Sequence, residues 1–255
     1  MDKCAVYPSL KGTVVFVTGG ATGIGESIVA HFCRQDSRVA FVDINAEGGA
    51  ELTARLSAET GNAPEFLRCD VTDTAALQAA IGEAQRRLGT IRVLVNNAAN
   101  DDRHSIESVT PQYWDERMAV NLRHQFFAAQ AVIPGMKVAG GGSIVNFGSL
   151  SWKVGMGGMP AYVTAKAAIG GLTRALARDV GKFNIRVNTV VPGWVMTERQ
   201  IRLWLDEHGE RTMDRMQSLA GRVRPDDLAR MVLFLAADDS RMCSAQEFIV
   251  DAGWA

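Results

Sequence analysis

The chain has 255 residues, of which 47% are hydrophobic and 22% charged, and its formal net charge is −1. These values are typical of a globular protein with a large buried core, and no linker or charge block divides the sequence, so we expect one domain over residues 1–255. No run of like charge points to nucleic acid, and no apolar run is long enough to span a bilayer.

Neither the amino terminus nor the cysteines point to export. Residues 1–11 lack the apolar segment of a signal peptide. Cys4, Cys33, Cys69 and Cys243 are widely scattered, with no C-x-x-C spacing and no nearby histidine that would build a zinc site. We therefore expect a cytoplasmic protein with reduced thiols and no metal.

A glycine-rich turn follows the first predicted strand. The β-branched run 13–17 is typical of a strand buried on both faces, and a helix pattern extends from the turn to Arg34. Glycines in such a turn let the backbone approach a pyrophosphate, while the start of the helix offers free N–H groups and the positive end of its dipole. The segment predicts a dinucleotide site formed by Gly19, Thr22, Gly23, Ile24 and Gly25.

An acidic residue ends the second strand, 38–42. A carboxylate at the position of Asp43 is placed to accept both ribose hydroxyls of an adenosine, and its charge would repel a 2′-phosphate. Its neighbours Ala21, Thr22, Ile44 and Asn45 provide no Arg or Lys to hold a phosphate, so we predict NAD rather than NADP, with Ile44 also at the cofactor. The alternative is that Asp43 caps the helix that follows.

The alternation of strands and helices continues through the chain. Strand 65–68 leads to Asp70 and Val71, and Asp70 could meet an adenine amino group or cap the helix that begins near Asp73. Strand 91–95 leads to Asn97 and Ala98, where small side chains leave room for a cofactor ribose. Repeated strand and helix without hairpin signals predicts an α/β fold of the Rossmann type, a doubly wound parallel sheet of seven strands with helices on both faces. Ligands of that fold bind at the carboxyl ends of the strands.

The second half of the chain has longer elements. A helix is predicted over 111–136, and its central Asn121, considered alone, is interpreted as an exposed polar residue. Strand 143–149 ends on Ser149, and a glycine-rich loop, 153–160, leads to the next helix. After strand 185–191, the amphipathic stretch 198–222 either covers a substrate or packs on the core; with the preceding turn we predict a lid over 194–222. A helix at 226–236 and a strand at 247–250 complete the chain.

Tyr162 and Lys166 lie four residues apart on a predicted buried helix that runs to Ala177. That spacing puts the phenol and the ammonium on one face, one turn apart. Two charges ~4 Å apart at an effective dielectric of ~20 interact by ~4 kcal/mol, enough to move a phenol pKa from about 10 towards 7. We predict an acid/base unit with the Ser149 hydroxyl opposite the phenol, the alternative being an ordinary amphipathic pair.

The motifs together resemble the short-chain dehydrogenase/reductase family over nearly the whole chain. One departure is Ala99, where the family usually has glycine. The resemblance implies a nicotinamide cofactor, a catalytic tetrad, cofactor contacts in the turn after residue 191, and a homotetramer built on the long helices and the terminal strand. The residues that carry it are Thr18-Gly19-x-x-x-Gly23-x-Gly25, Asn96-Asn97-Ala98, Pro192-Gly193 with Val195 and Thr197 after it, and the tetrad Asn121, Ser149, Tyr162 and Lys166.

Five shorter segments, 7–12, 100–104, 114–117, 121–124 and 251–254, resemble bacterial sugar 1-dehydrogenases, D-xylose 1-dehydrogenase among them. The resemblance implies oxidation of a cyclic aldose to its lactone. The polar loop 100–104 supplies donors and acceptors for sugar hydroxyls, although the residues alone also fit a solvated loop. The loop 152–160 and the lid differ from the D-xylose enzyme and are the segments expected to select the sugar. The candidate substrate-binding residues are Asn100, Asp101, Arg103, His104, Ser149, Ser151, Trp152, Trp194 and Trp204.

The implied reaction has Tyr162 as general base, with hydride passing to NAD. Lys166 would lower the pKa of the phenol and bind the nicotinamide ribose, Ser149 would hold the reacting oxygen, and Asn121 would keep a water in line with Lys166. The same tetrad could serve a dehydrogenase of a sugar acid or a carbonyl reductase such as a 3-oxoacyl reductase. A cofactor-sensing or scaffold protein is a further alternative, against which the intact tetrad argues.

Overall fold

In the computed structural model, which describes residues 4–255, all seven strands belong to one sheet in the order β3-β2-β1-β4-β5-β6-β7. Each neighbouring pair is parallel. The predicted doubly wound sheet is therefore confirmed. The strands are β1 Val14–Thr18, β2 Arg38–Asp43, β3 Glu65–Arg68, β4 Val93–Asn96, β5 Gly142–Phe147, β6 Ile185–Pro192 and β7 Glu247–Val250.

Helices cover both faces of the sheet. Helices α1, α2 and α9 contribute their apolar residues to the core on one face, and α3, α5 and α6 to the core on the other. Within residues 4–255 no helix combines the length and the apolar character needed to cross a membrane. The helices are α1 Gly23–Arg34, α2 Ala46–Thr60, α3 Thr74–Leu88, α4 Pro111–Met118, α5 His124–Val138, α6 Pro160–Val180, α7 Glu198–Trp204, α8 Glu207–Met216 and α9 Pro225–Ala236.

Strand β1 shows why its sequence is apolar throughout. Val15 and Val17 join the core on one face, while Val14 and Phe16 join the core on the other. Successive side chains of a strand point to opposite faces, so a strand between two helical layers needs an apolar residue at every position.

The strand order reverses between β1 and β4, and the turns that follow these two strands are bonded to each other. The Thr18 hydroxyl accepts hydrogen bonds from the backbone N–H groups of Asn97 (3.0 Å) and Ala98 (3.1 Å). The side-chain amide of Asn97 donates to the carbonyl oxygens of Thr18 (3.1 Å) and Gly19 (2.8 Å). A crevice at such a reversal point is where α/β sheets bind ligands, and here its two walls are held in a fixed relation.

The predicted helix over 111–136 is not continuous. Helix α4 ends at Met118, a π-helical turn spans Ala119–Arg123, and α5 then begins at His124. The interpretation of Asn121 as an exposed residue is wrong, since its side chain is fully buried and its amide donates to the Arg117 carbonyl at 3.0 Å. A side chain that bonds the carbonyl four residues earlier competes with the helical ladder and favours such a local widening.

Arg186 connects β6 to the end of α9. Its guanidinium donates to the carbonyl oxygens of Leu235 (2.7 Å), Ala236 (3.3 Å) and Ala237 (3.2 Å). The last carbonyls of a helix have no partner within the helix, and Arg186 gives a charged donor to three of them, although Leu235 also accepts from the Ser143 hydroxyl and Ala237 from the Ser240 hydroxyl.

We expect Arg186→Met to lower the free energy of unfolding by about 2–3 kcal/mol, because several carbonyls lose a charged donor. Urea denaturation followed by circular dichroism measures the change. Arg92→Met is the matched control, since the exposed Arg92 donates to one carbonyl, that of Ala139 at 3.2 Å, and should cost less than about 1 kcal/mol. Equal losses in the two variants would contradict this role of Arg186.

Candidate active site

Two adjoining cavities lie at the carboxyl edge of the sheet, and together they contain every residue predicted to bind the cofactor. The larger, of about 1010 Å³, is a cleft over the reversal point of the sheet. The smaller, of about 240 Å³, lies beside it. The cleft is lined by Gly19, Thr22, Gly23, Ile24, Gly25, Asp43, Ile44, Asp70, Val71, Asn97, Ala98 and Thr197. The smaller cavity is lined by Tyr162, Lys166, Pro192, Gly193 and Val195, with Ile24, Asn97 and Thr197 shared.

Two glycines of the turn stand where there is no room for a side chain. Gly19 has a φ of +68°, and a Cβ there would lie 2.8 Å from the Cα of Ala98. A Cβ at Gly25 would lie 1.8 Å from the carbonyl oxygen of Gly19. Thr22 precedes α1 without capping it through its side chain, so the first N–H groups of the helix remain available to an anion. The turn therefore fits the pyrophosphate of a dinucleotide.

Asp43 is fixed at the rim of the cleft. One carboxylate oxygen accepts the backbone N–H of Ala21 (3.0 Å) and the other that of Asn45 (2.9 Å). The cap of α2 is Asn45, whose side chain accepts the Gly48 N–H at 3.1 Å. The alternative of Asp43 as the helix cap is therefore wrong. A carboxylate oxygen accepts more than one hydrogen bond, so each oxygen of Asp43 keeps acceptor capacity for a ligand.

Four arginines that sequence proximity to Asp43 did not indicate also line the cleft, and they are Arg34, Arg55, Arg199 and Arg202. Arg34 and Arg55 reach it from α1 and α2. Each is paired with a carboxylate, Arg34 with Glu59 at 2.7 Å and Arg55 with Glu26 at 2.5 Å. Their charge is therefore already balanced by neighbouring side chains.

Asp70 also lies in the cleft and does not cap α3. Its carboxylate accepts the backbone N–H (2.9 Å) and the hydroxyl (2.8 Å) of Thr72. The cap of α3 is Asp73, whose side chain accepts the Ala76 N–H at 3.0 Å. Of the two predicted alternatives for Asp70, helix capping is wrong.

Tyr162, Lys166 and Ser149 meet in the smaller cavity. The Ser149 side chain is close enough to the phenol to lower its pKa through a hydrogen bond. The Lys166 ammonium is 2% exposed, donates to the Phe147 carbonyl at 2.8 Å, and lies 5.7 Å from the centre of the Tyr162 ring. The predicted spatial relation of the three side chains is present.

Burial dominates the protonation of this group. It raises the pKa of Tyr162 to about 12, although the Ser149 side chain opposes the shift, and it lowers the pKa of Lys166 to about 7. The prediction that Lys166 would move the phenol pKa from about 10 towards 7 is therefore wrong. Removing both groups from water disfavours the charged form of each.

Asn121 holds the loop that follows β4. Its side-chain oxygen accepts the Asn100 N–H at 2.9 Å and its amide donates to the Asn100 carbonyl at 3.0 Å. His124, which sequence analysis did not single out, bonds the Ala98 carbonyl at 3.0 Å. Burial and the charge of Lys166 lower the pKa of His124 to about 3, so this ring stays neutral. Both side chains act on the backbone beside the cavity.

Five of the nine predicted substrate-binding residues line the smaller cavity: Asp101, Arg103, Ser149, Ser151 and Trp194. Asn100 lies in the cofactor cleft instead, and its side chain accepts the Asp102 N–H at 2.9 Å.

The other three predicted residues do not line the smaller cavity and instead contact neighbouring side chains and backbone. His104 bonds the Tyr113 hydroxyl (3.0 Å) and the Ala161 N–H (3.2 Å). Trp204 lies beneath the Arg103 guanidinium at 5.0 Å, and Trp152 lies beneath the Lys153 ammonium at 4.3 Å. Their packing against neighbours explains their placement.

Further lining residues were missed by sequence reasoning. They come from the loop after β5, from α7 and from the carboxyl terminus, none of which has a catalytic spacing pattern. The segment 251–254 was singled out only because it resembles the corresponding part of sugar 1-dehydrogenases. The missed residues include Leu150, Val154, Met156, Met159, Arg199, Gln200 and Trp254.

Comparison with known proteins shows the family of the chain. A family model described as Enoyl-(Acyl carrier protein) reductase matches residues 19–255. The chain belongs to the short-chain dehydrogenase/reductase family. This dehydrogenase is 50% identical to the probable galactose dehydrogenase GalD of Rhizobium meliloti (strain 1021) over 97% of this chain and 96% of the relative. It is 49% identical to the D-xylose 1-dehydrogenase of Caulobacter vibrioides over 98% of both chains.

Solved structures agree with the fold and with a dinucleotide site. A 7α-hydroxysteroid dehydrogenase in complex with NADH superposes with a TM-score of 0.92, at 28% identity, over 98% of this chain and 96% of that one. Other solved relatives carry NADPH. This dehydrogenase is thus an oxidoreductase acting on CH–OH groups with a nicotinamide cofactor.

We expect Asn121→Ala to lower the free energy of unfolding of this dehydrogenase by about 2–3 kcal/mol, since the Asn100 N–H and carbonyl lose their partner. Thermal and urea denaturation measure the loss. Gln130→Ala, at an exposed position of α5, removes an amide from the same helical segment and should change stability by less than about 0.5 kcal/mol. If the Asn121 variant were as stable as this control, Asn121 would not anchor the loop.

Proposed function

We propose that this protein is an NAD-dependent aldose 1-dehydrogenase, which oxidises the anomeric hydroxyl of a pentose or hexose such as xylose, arabinose, fucose or galactose to the aldonolactone. The observation that carries the proposal is the meeting of Tyr162, Ser149 and Lys166 in a small cavity beside a dinucleotide cleft. The activities named for the galactose and D-xylose relatives support the choice of substrate.

Tyr162 is the proposed general base, which takes the proton of the anomeric hydroxyl. Ser149 positions the reacting oxygen by donating a hydrogen bond that, in this structure, goes to the Ser151 hydroxyl at 2.9 Å. Because burial holds the pKa of the phenol high, the phenolate needs nearby positive charge. Lys166 supplies one such charge from the same helix face. NAD, when bound, accepts the hydride from the anomeric carbon and adds the positive charge of its oxidised ring.

The polar side of the smaller cavity supports a sugar. Asp101 and Arg103 from the loop after β4 face the cavity together with Arg199 and Gln200 from α7. Charged groups and amides can donate to and accept from several hydroxyls at once. We take the segment 194–222 to be the lid of this cavity, with α7 as its substrate-facing part.

NAD is preferred over NADP in this proposal because of Asp43. Its carboxylate lies in the cleft, held by the N–H groups of Ala21 and Asn45. A fixed negative charge there accepts ribose hydroxyls and repels a 2′-phosphate.

A homotetramer is also part of the proposal. Trp114 on α4, Phe126 on α5 and Ile249 on β7 are large apolar residues with exposed side chains. Their positions agree with subunit contacts through the long helices and the terminal strand.

We expect the wild-type protein to reduce NAD with at least one aldose and to release a lactone, detected by nuclear magnetic resonance. Tyr162→Phe should lower kcat at least about 100-fold while leaving NADH binding, measured by fluorescence titration, nearly unchanged. Tyr113→Phe removes a phenolic hydroxyl that bonds His104 outside the lining of the cavity, and should keep most activity. Aldose oxidation by the Tyr162 variant at the wild-type rate would refute the assignment.

We expect Asp43→Ala to lower the ratio of kcat/KM with NAD to that with NADP by roughly tenfold or more, since about 1.4 kcal/mol of lost discrimination is one factor of ten. Steady-state kinetics with each cofactor measures the ratio. Glu47→Ala removes an exposed carboxylate from the first turn of α2 and should leave the ratio unchanged. An unaltered ratio in the Asp43 variant would remove the basis for the cofactor preference.

A further inference from the structure

Helix α7 brings Gln200 against Asp101 inside the substrate cavity. The Gln200 amide donates to one carboxylate oxygen of Asp101 at 2.6 Å. The other oxygen accepts a longer bond from the Arg199 guanidinium at 3.4 Å. Gln200 and Asp101 both line the smaller cavity, and they come from different segments of the chain, one after β6 and the other after β4.

This contact leaves hydrogen-bonding capacity of both kinds. A side-chain amide has two N–H donors and an acceptor oxygen, and a carboxylate has about four acceptor sites. The bond between Gln200 and Asp101 uses one donor and one acceptor site. It also fixes the orientation of both groups, so the remaining donor and acceptors stand side by side. A pair of adjacent sugar hydroxyls, each able to donate and to accept, complements that arrangement.

The charge of Asp101 disfavours ionisation of Tyr162, the proposed base, which indicates a separate role for this carboxylate. The groups that face Tyr162 and act on its pKa are Ser149, Asp101 and Arg103, and the negative charge of Asp101 acts to raise that pKa. The same charge also acts to raise the pKa of Lys166, so it favours the ammonium while it disfavours the phenolate. Asp101 thus has no single catalytic effect, and its remaining acceptor sites can receive hydroxyl groups of the substrate.

We propose that Gln200 and Asp101 form one receptor for adjacent hydroxyls of the sugar away from its reacting carbon, with Gln200 as a residue that determines specificity. This inference rests on the proposed aldose oxidation and deepens it. A site that pairs buried polar groups with substrate hydroxyls also rejects analogues that lack them, because the groups are then left unpaired. The protein is accordingly selective for polyhydroxy substrates over simple alcohols.

The test compares Gln200→Leu with the wild-type enzyme, using an aldose substrate and its analogues that each lack one hydroxyl away from the anomeric carbon. We expect the KM for the aldose to rise about 10- to 100-fold, since a hydrogen bond to a charged group is lost, with a smaller change in kcat. Discrimination against at least one deoxy analogue should fall by a similar factor. The Kd for NADH should not change. Gln130→Leu, the same replacement at an exposed position of α5 outside both cavities, is the control and should behave as wild type.

Two further variants keep the inference testable if Gln200→Leu alters the fold. Gln200→Glu keeps the shape but replaces the donor with a group that repels Asp101, so it should also raise KM. Asp101→Asn should raise KM and move the ascending, acidic limb of the pH profile of kcat/KM to lower pH, because removal of a negative charge near the phenol lowers the pKa of the proposed base.

The outcomes separate the two proposals. An active wild-type enzyme with the same KM and the same deoxy discrimination in the Gln200 variants would overturn this inference and leave aldose oxidation standing. A wild-type protein that oxidises no aldose but oxidises another alcohol would overturn the proposed function, and this inference with it.

Discussion

The site depends on the burial of a phenol and an ammonium that share one face of α6. Lys166 reaches past Tyr162 to the carbonyl of Phe147, so the hydrogen bond at 2.8 Å ties the helix to the end of β5, where Ser149 follows. Lys166 is buried and Tyr162 is partly buried, and the loss of surrounding water favours the neutral form of each. A charge brought into this cavity acts at low dielectric and is effective for the same reason. The geometry of the sheet edge thus sets both the position and the reactivity of the site.

The fold could be predicted from the sequence because its main signals are local. Apolar runs such as 13–17 indicate strands covered on both faces, and the glycine turn before α1 marks the first crossover. The interruption at Ala119–Arg123 could not be predicted in this way, since the partners of Asn121 include the backbone of residue 100, which lies on a different loop. Contacts with distant segments cause such a deviation from a regular helix, and the residue pattern of the helix does not reveal those contacts.

The catalytic residues could be predicted from their spacing, whereas spacing does not identify the residues that line the substrate cavity. Tyr162 and Lys166 keep a fixed spacing on one helix, and that spacing determines their relation. The pKa of the phenol depends on how much protein surrounds it, which no spacing records, and the prediction failed there. Membership of a polar loop also does not tell which way a side chain points. His104 lies two residues from Asp102 and bonds α4 and α6, while Gln200, with no motif around it, reaches the cavity from α7.

The bonds between Thr18 and Asn97 have a consequence for how a ligand arrives. Because the turns on both sides of the crevice hold each other through four hydrogen bonds, their relative position does not depend on a contact with the ligand. A ligand that enters the crevice meets donors already in place, and little conformational entropy is lost on association. Differences in substrate recognition then depend on α7 and on the loop after β4 that it contacts. The sequences of those surface segments can change and alter the substrate specificity, while the cofactor side of the site keeps its structure.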